Sequence, residues 1–145
     1  MNVERAGECL RKWQRVLRLS DWDIKLTTVS TDWRKSGDVK IDRDNRMAAV
    51  LLHESIPEEH LEEVLVHELL HLKVYGMDQM IERLIELLYP EEEDPGRAFA
   101  MDSFMLELET TVEDLTKAML TAGGENREFW FKRVDRQIDE ELRGR

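Results

Sequence analysis

His67 and His71 stand four residues apart around Glu68, inside the run Glu63-Val64-Leu65-Val66-His67-Glu68-Leu69-Leu70-His71-Leu72. On an α-helix, residues four apart lie one above the other on a single face. Both imidazoles can therefore aim a nitrogen at one cation. Glu68 is offset by about 100°, beside the pair, where it can reach a water on that cation. Zn²⁺ takes imidazole ligands readily, and a carboxylate next to its water can act as general base. Two histidines and a carboxylate among Leu and Val are costly to bury without partners. The alternative use of the same residues is a hydrogen-bonded pair of core histidines on an ordinary helix.

Such a helix needs a scaffold, and the hydrophobic periods supply one. Val3, Ala6, Leu10, Trp13 and Leu17 mark a first helix over 2–19. Trp22, Ile24, Leu26 and Thr28 then alternate with polar residues, as in a half-buried strand. Ser36-Gly37 reads as loop punctuation. Val39 and Ile41 mark a second strand, and the Asp42–Asn45 cluster turns it back into a third, Met47–His53. That third strand is apolar on both faces and should be central or covered. Ser55 and Glu58 fit a capping box for the His67 helix, which is predicted to stop at Gly76. A short helix is expected from Asp78 to Tyr89, then an acidic loop at 91–96. A long helix follows from Phe99 to about Thr121, with Phe104, Leu108, Val112, Leu115 and Met119 inward. The last helix, 126–142, carries Trp130, Val134, Ile138 and Leu142 and is expected to cap the domain, the alternative being that it binds a partner.

The 145 residues suit one domain, with 32 acidic against 21 basic residues and a net charge of −11. That balance argues against nucleic acid as a partner. Arg11, Lys12, Arg15, Arg18, Arg127, Lys132, Arg133 and Arg136 read as solvated helix positions. Cys9 is the lone cysteine, so no internal disulfide can form. The charged first 20 residues leave no signal-peptide core, and no apolar run nears the ~20 residues a bilayer requires. A cytoplasmic protein without membrane contact is expected.

With Val64-Leu-Val-His-Glu-Leu-Leu-His71 in view, the chain resembles the zincin metallopeptidases, strongly over 47–75 and more loosely over 21–120. Its length is similar to that of minimal, single-domain gluzincin-like members. The resemblance implies an α+β, zincin-like fold over 1–145. It comprises an N-terminal helix in 1–20, a small antiparallel or mixed three-stranded sheet in 21–53, and a central zinc helix at 55–75. Helices in 77–122 would supply the third ligand; the resemblance is absent in the last 25 residues, where apolar spacing alone predicts a C-terminal helix within 125–145. It also implies a zinc-dependent peptidase acting on peptide or protein substrates, with an edge strand pairing to extended peptide.

Catalytic zinc usually takes three protein ligands and a water. No histidine follows His71 and no cysteine lies near, so the third ligand must be a carboxylate. The segment Leu106–Leu115 resembles the gluzincin glutamate helix, which points to Glu109. The residues by themselves leave Glu113, Glu107, Asp78 and Glu82 as rivals. Tyr75, one turn past His71, is a candidate oxyanion donor. His53 is a weaker candidate, and His60 is expected to be exposed. A non-catalytic zincin-like domain, with a structural or vestigial metal site and a protein-binding role, is the competing function.

Overall fold

The computed structural model describes residues 1–126 and 128–144; Arg127, one of the basic positions read as helical, lies outside the described residues. The fold is α+β, with a small mixed sheet and, among the described residues, four α-helices. Helix α1 (Val3–Val16) is capped by Asn2, whose side chain accepts from Arg5 N at 3.1 Å. It buries Ala6, Leu10 and Trp13 against the rest of the core. Arg18, in the left-handed region at φ 58°, turns the chain out of the helix towards the sheet.

Strands β1 (Asp23–Val29), β2 (Gly37–Asp42) and β3 (Met47–His53) are ordered β1-β3-β2. β2 pairs antiparallel with β3 across the expected turn, while β1 pairs parallel with β3. The sheet is therefore mixed and β3 is central. Ala48, Val50 and Leu52 point into the core, and the alternate residues of β3 face outward. β2 is an edge strand.

Helix α2 (Leu61–Leu88) is the spine of the molecule. It does not begin with a capping box. Pro57 precedes a 3₁₀ turn at Glu58–His60, and neither end of that turn has a side-chain cap. Ser55 Oγ is held instead by His53 Nδ1 at 2.7 Å, and Glu58 is engaged by Asn2 N and Arg5. Nor does α2 stop at Gly76. A glycine inside a helix costs only about 1 kcal/mol, too little to end one packed along a neighbour. Gly76 lacks a left-handed φ, and its missing Cβ makes room for Arg43, whose Nη2 would lie 2.9 Å from such an atom. The predicted short helix at 78–89 is thus the second half of α2.

Helix α3 (Pro95–Gly123) starts earlier than predicted, because Asp94 caps it at Gly96 N, 2.8 Å, and Pro95 occupies its first turn. Its core stripe is Val112, Thr116 and Leu120, with Leu108 and Met119 at the margin and Leu115 outward. Thr116 is tolerated inside because its hydroxyl donates to Val112 O at 2.7 Å. Helix α4 (Lys132–Arg143) caps nothing: Val134, Ile138 and Leu142 are 48%, 50% and 67% exposed. The docking falls to the segment before it, where Phe129 and Trp130 pack on the core. Among the described residues, no helix is long and apolar enough to cross a membrane.

Candidate metal centre

α2 and α3 run side by side, and their facing polar residues meet where α2 carries its two histidines. His67 Nε2 and His71 Nε2 lie 3.2 Å apart. Glu109 of α3 brings Oε1 to 2.8 Å from His71 Nε2 and Oε2 to 3.5 Å from His67 Nε2. These three residues form a group able to hold a metal ion, with all ligand atoms within 4.8 Å of one another. Tetrahedral bonds of about 2.0–2.1 Å put ligand atoms about 3.3 Å apart. The His67 Nε2–His71 Nε2 and His71 Nε2–Glu109 Oε1 edges, 3.2 and 2.8 Å, lie near that value, while the 3.5 Å distance from His67 runs to the other carboxylate oxygen; the group could hold a metal ion.

Glu113, one turn beyond Glu109, is not part of that group. Its Oε1 lies 3.2 Å from His67 Nδ1, on the opposite side of the ring. A proton held on Nδ1 by this carboxylate leaves the Nε2 lone pair free for a cation, the usual arrangement behind a ligating histidine. Burial alone would depress the His67 imidazolium, but hydrogen bonds to Glu109 and Glu113 outweigh it and hold the group up to about 10. Reciprocally, hydrogen bonds from His67 and His71 hold Glu109 well below the ordinary carboxylate range. Positive charge is thus strongly favoured between these side chains.

Glu68 lies beside the pair and only 7% exposed. Burial, helped by the charges of Asp38 and Glu109, pushes its carboxyl up to about 7 against the pull of the two histidines. The opposing wall is the start of β2. A Cβ on Gly37 would fall 2.7 Å from Val64 Cγ1 and 3.3 Å from Glu68 Oε1, so only glycine lets the strand close over the carboxylate. In the sequence, Ser36-Gly37 reads only as loop punctuation. The register of Gly37 opposite Leu52 carries the information, and that pairing is long-range.

The other candidates are not members of that group. Tyr75 is half-buried on the same helix, but its hydroxyl makes no hydrogen bond to the histidines, Glu68 or Glu109. Asp78 and Glu82 are both tied to Gln79 Nε2 at 3.0 Å, and Glu107 is exposed. His53 is fixed by Ser55 and by Thr31 O at 2.9 Å. His60 is not exposed as expected: it is half-buried and stacks on Trp130 with ring centroids 5.2 Å apart.

Comparison of the chain with protein-family models, with curated proteins and with solved structures finds no match.

Proposed function

We propose that this chain is a zinc-dependent peptidase of the zincin type, with His67, His71 and Glu109 as metal ligands and Glu68 as general base. The observation that carries the proposal is the convergence of two imidazole nitrogens and a carboxylate on one point, with a second, buried carboxylate beside it. A zinc ion held there supplies Lewis-acid polarisation of a scissile carbonyl and an acidified water. Glu68, buried beside the two histidines, would take a proton from that water and return it to the leaving amine. Glu113 orients His67 and takes no part in proton transfer.

Three ligands leave a fourth position for water, as in catalytic sites; structural zinc is closed by four. The free edge of β2 starts beside Glu68 at Gly37, so extended peptide paired there would bring its carbonyls past the base. Tyr75 is not assigned a role in this mechanism.

The test is reconstitution. Protein stripped with chelator should not cleave a reduced and alkylated substrate protein, and one equivalent of zinc per chain should restore cleavage. Stoichiometric zinc without any cleavage would contradict the peptidase reading.

A further inference from the structure

Helix α2 carries one stripe that α1 covers for only half its length. Glu62, Val66, Leu69 and Lys73 recur along it at four- and three-residue steps. α1 lies over them: Lys12 Nζ and Trp13 Nε1 donate to Glu62 Oε2, and Lys73 Nζ donates to Arg18 O at 3.5 Å. Val66 and Leu69, between those ties, are fully buried. At Arg18 the chain turns away towards β1, but the stripe goes on. Met77, Met80, Leu84 and Leu87 continue it at steps of three, four and three, and Leu88 borders it. These five residues are 51–76% exposed. They leave on the order of 500 Å² of apolar surface in water, near the upper end of what a monomer exposes in one patch.

The open stripe of α4 cannot cover this patch within one chain. Trp130 N is held by Glu63 Oε2 at 3.0 Å. From Glu63, Leu84 lies about 31 Å further along α2, whereas Trp130 to Leu142 spans about 18 Å as helix. The two ends of the patch also differ in charge. Lys73 stands at its start, beside Arg15 and Arg18 at the end of α1. Glu91, Glu92 and Glu93 stand at its far end, in the loop between α2 and α3. All six are exposed, and none forms an ion pair among the described residues.

We propose that this stripe is the two-fold interface of a homodimer, with α2 packed antiparallel on α2 of a second copy. Three-four-three apolar spacing is the seam of paired helices, in which side chains of one insert between those of the other. A two-fold axis midway between Met80 and Leu84 sets each against the other across the interface, and Met77 against Leu87 likewise. The same axis carries the Lys73 end of each helix to the Glu91–Glu93 loop of its partner. Parallel pairing would set the three glutamates against their own copies, so charge selects the antiparallel form. Two patches bury on the order of 1,000 Å², and the charged rims bring the total towards the roughly 1,200–2,000 Å² of specific interfaces. The stripe lies about 130° around α2 from His67 and His71, so the metal centre stays open in each copy. The dimer does not depend on the chemistry of that centre.

Sedimentation velocity of the full chain over a concentration series tests this. Wild type should sediment at twice the 17.2 kDa chain mass and give way to monomer on dilution. Met80→Glu with Leu84→Glu, both at exposed positions, should keep the far-ultraviolet circular dichroism of wild type and be monomeric. Lys73→Glu should weaken the dimer about tenfold, and adding Glu91→Lys and Glu92→Lys should restore it. Ile138→Glu, on the open stripe of α4, should change nothing. The charge reversals decide the matter even where the double variant fails to fold, because they lie at solvent-exposed residues. Wild type that is monomeric at every concentration overturns the proposal. So does a dimer that survives Met80→Glu with Leu84→Glu, one that Ile138→Glu dissolves, or one that the Lys73 reversal leaves unchanged.

Discussion

Glu62 and Glu68 sit six residues apart on α2, 4% and 7% exposed, and they are opposite in character. Glu62 receives Trp13 Nε1 at 2.7 Å, Lys12 Nζ at 3.0 Å and Glu125 N at 2.8 Å. Burial works against its ionisation, yet those donors win and hold it below the ordinary carboxylate value. Glu68 has no hydrogen-bond donor among the described residues, and burial pushes it up to about 7. Burial is nearly equal; the donors differ. One carboxylate is a permanently charged tie between α1, α2 and the segment leading to α4. The other is left free to exchange a proton at neutral pH. Perturbation of the second kind, beside residues that could hold a metal ion, makes Glu68 the candidate base of the proposed function.

The comparison breaks most severely at Glu62. Glu62→Ala strands a buried indole N–H, a lysine and a backbone N–H, and should lower stability by about 3 kcal/mol. Denaturant unfolding measures this, and Glu68→Ala should cost far less. Zinc binding by the Glu62 variant should persist wherever it remains folded.

Next in size is the pH dependence of the metal-free protein. The folded value of Glu68, about 7, exceeds its ordinary value of 4.5, so between those limits the folded state binds more protons than the unfolded one. Its contribution to stability therefore falls as pH rises from about 4.5 to 7. Glu68→Gln should match wild type near pH 4 and be more stable by about 3 kcal/mol at pH 8. His67 carries the same sign in a higher window, its stabilisation lost as pH rises towards 10, and because the Glu68 charge is one of the causes that raise it, Glu68→Gln should reduce this part as well. A stability difference between them that does not change with pH would contradict the assignment.

The smallest effect sharpens the site's outer edge. Glu113→Gln keeps an acceptor for His67 Nδ1 but removes its charge, and should weaken zinc affinity by about tenfold. Competition with a chromophoric chelator reads this directly. Glu109→Ala in the same assay should lose far more.

The legible and illegible parts of this fold divide along sequence separation. Alternation in 22–28, 38–42 and 46–53 announces three strands, and the four-residue histidine spacing announces the metal face of α2. That β1 joins β3 in parallel was not legible, since alternation names a buried face and not a neighbour. The contact of Gly76 with Arg43, over 30 residues away in the hairpin turn, is equally invisible in the sequence. Glu62 reads as an ordinary surface helix carboxylate until Trp13 and Lys12 are brought against it. Glu109 and Glu113, at i and i+4 on one helix, divide as potential ligand and ring-orienting group only once the rotation of α3 against α2 is known.

The most direct test sets the two buried glutamates side by side. Glu68→Gln and Glu62→Gln are purified, assayed for zinc, and assayed for cleavage of the same unfolded substrate. Glu68→Gln should hold one zinc per chain and lose about 10²–10⁴ in rate. Glu62→Gln should hold the same zinc and cleave within about twofold of wild type, since it keeps an acceptor and lies outside the proton path. A zinc-loaded Glu68→Gln protein that cleaves at the wild-type rate would contradict the account at its centre.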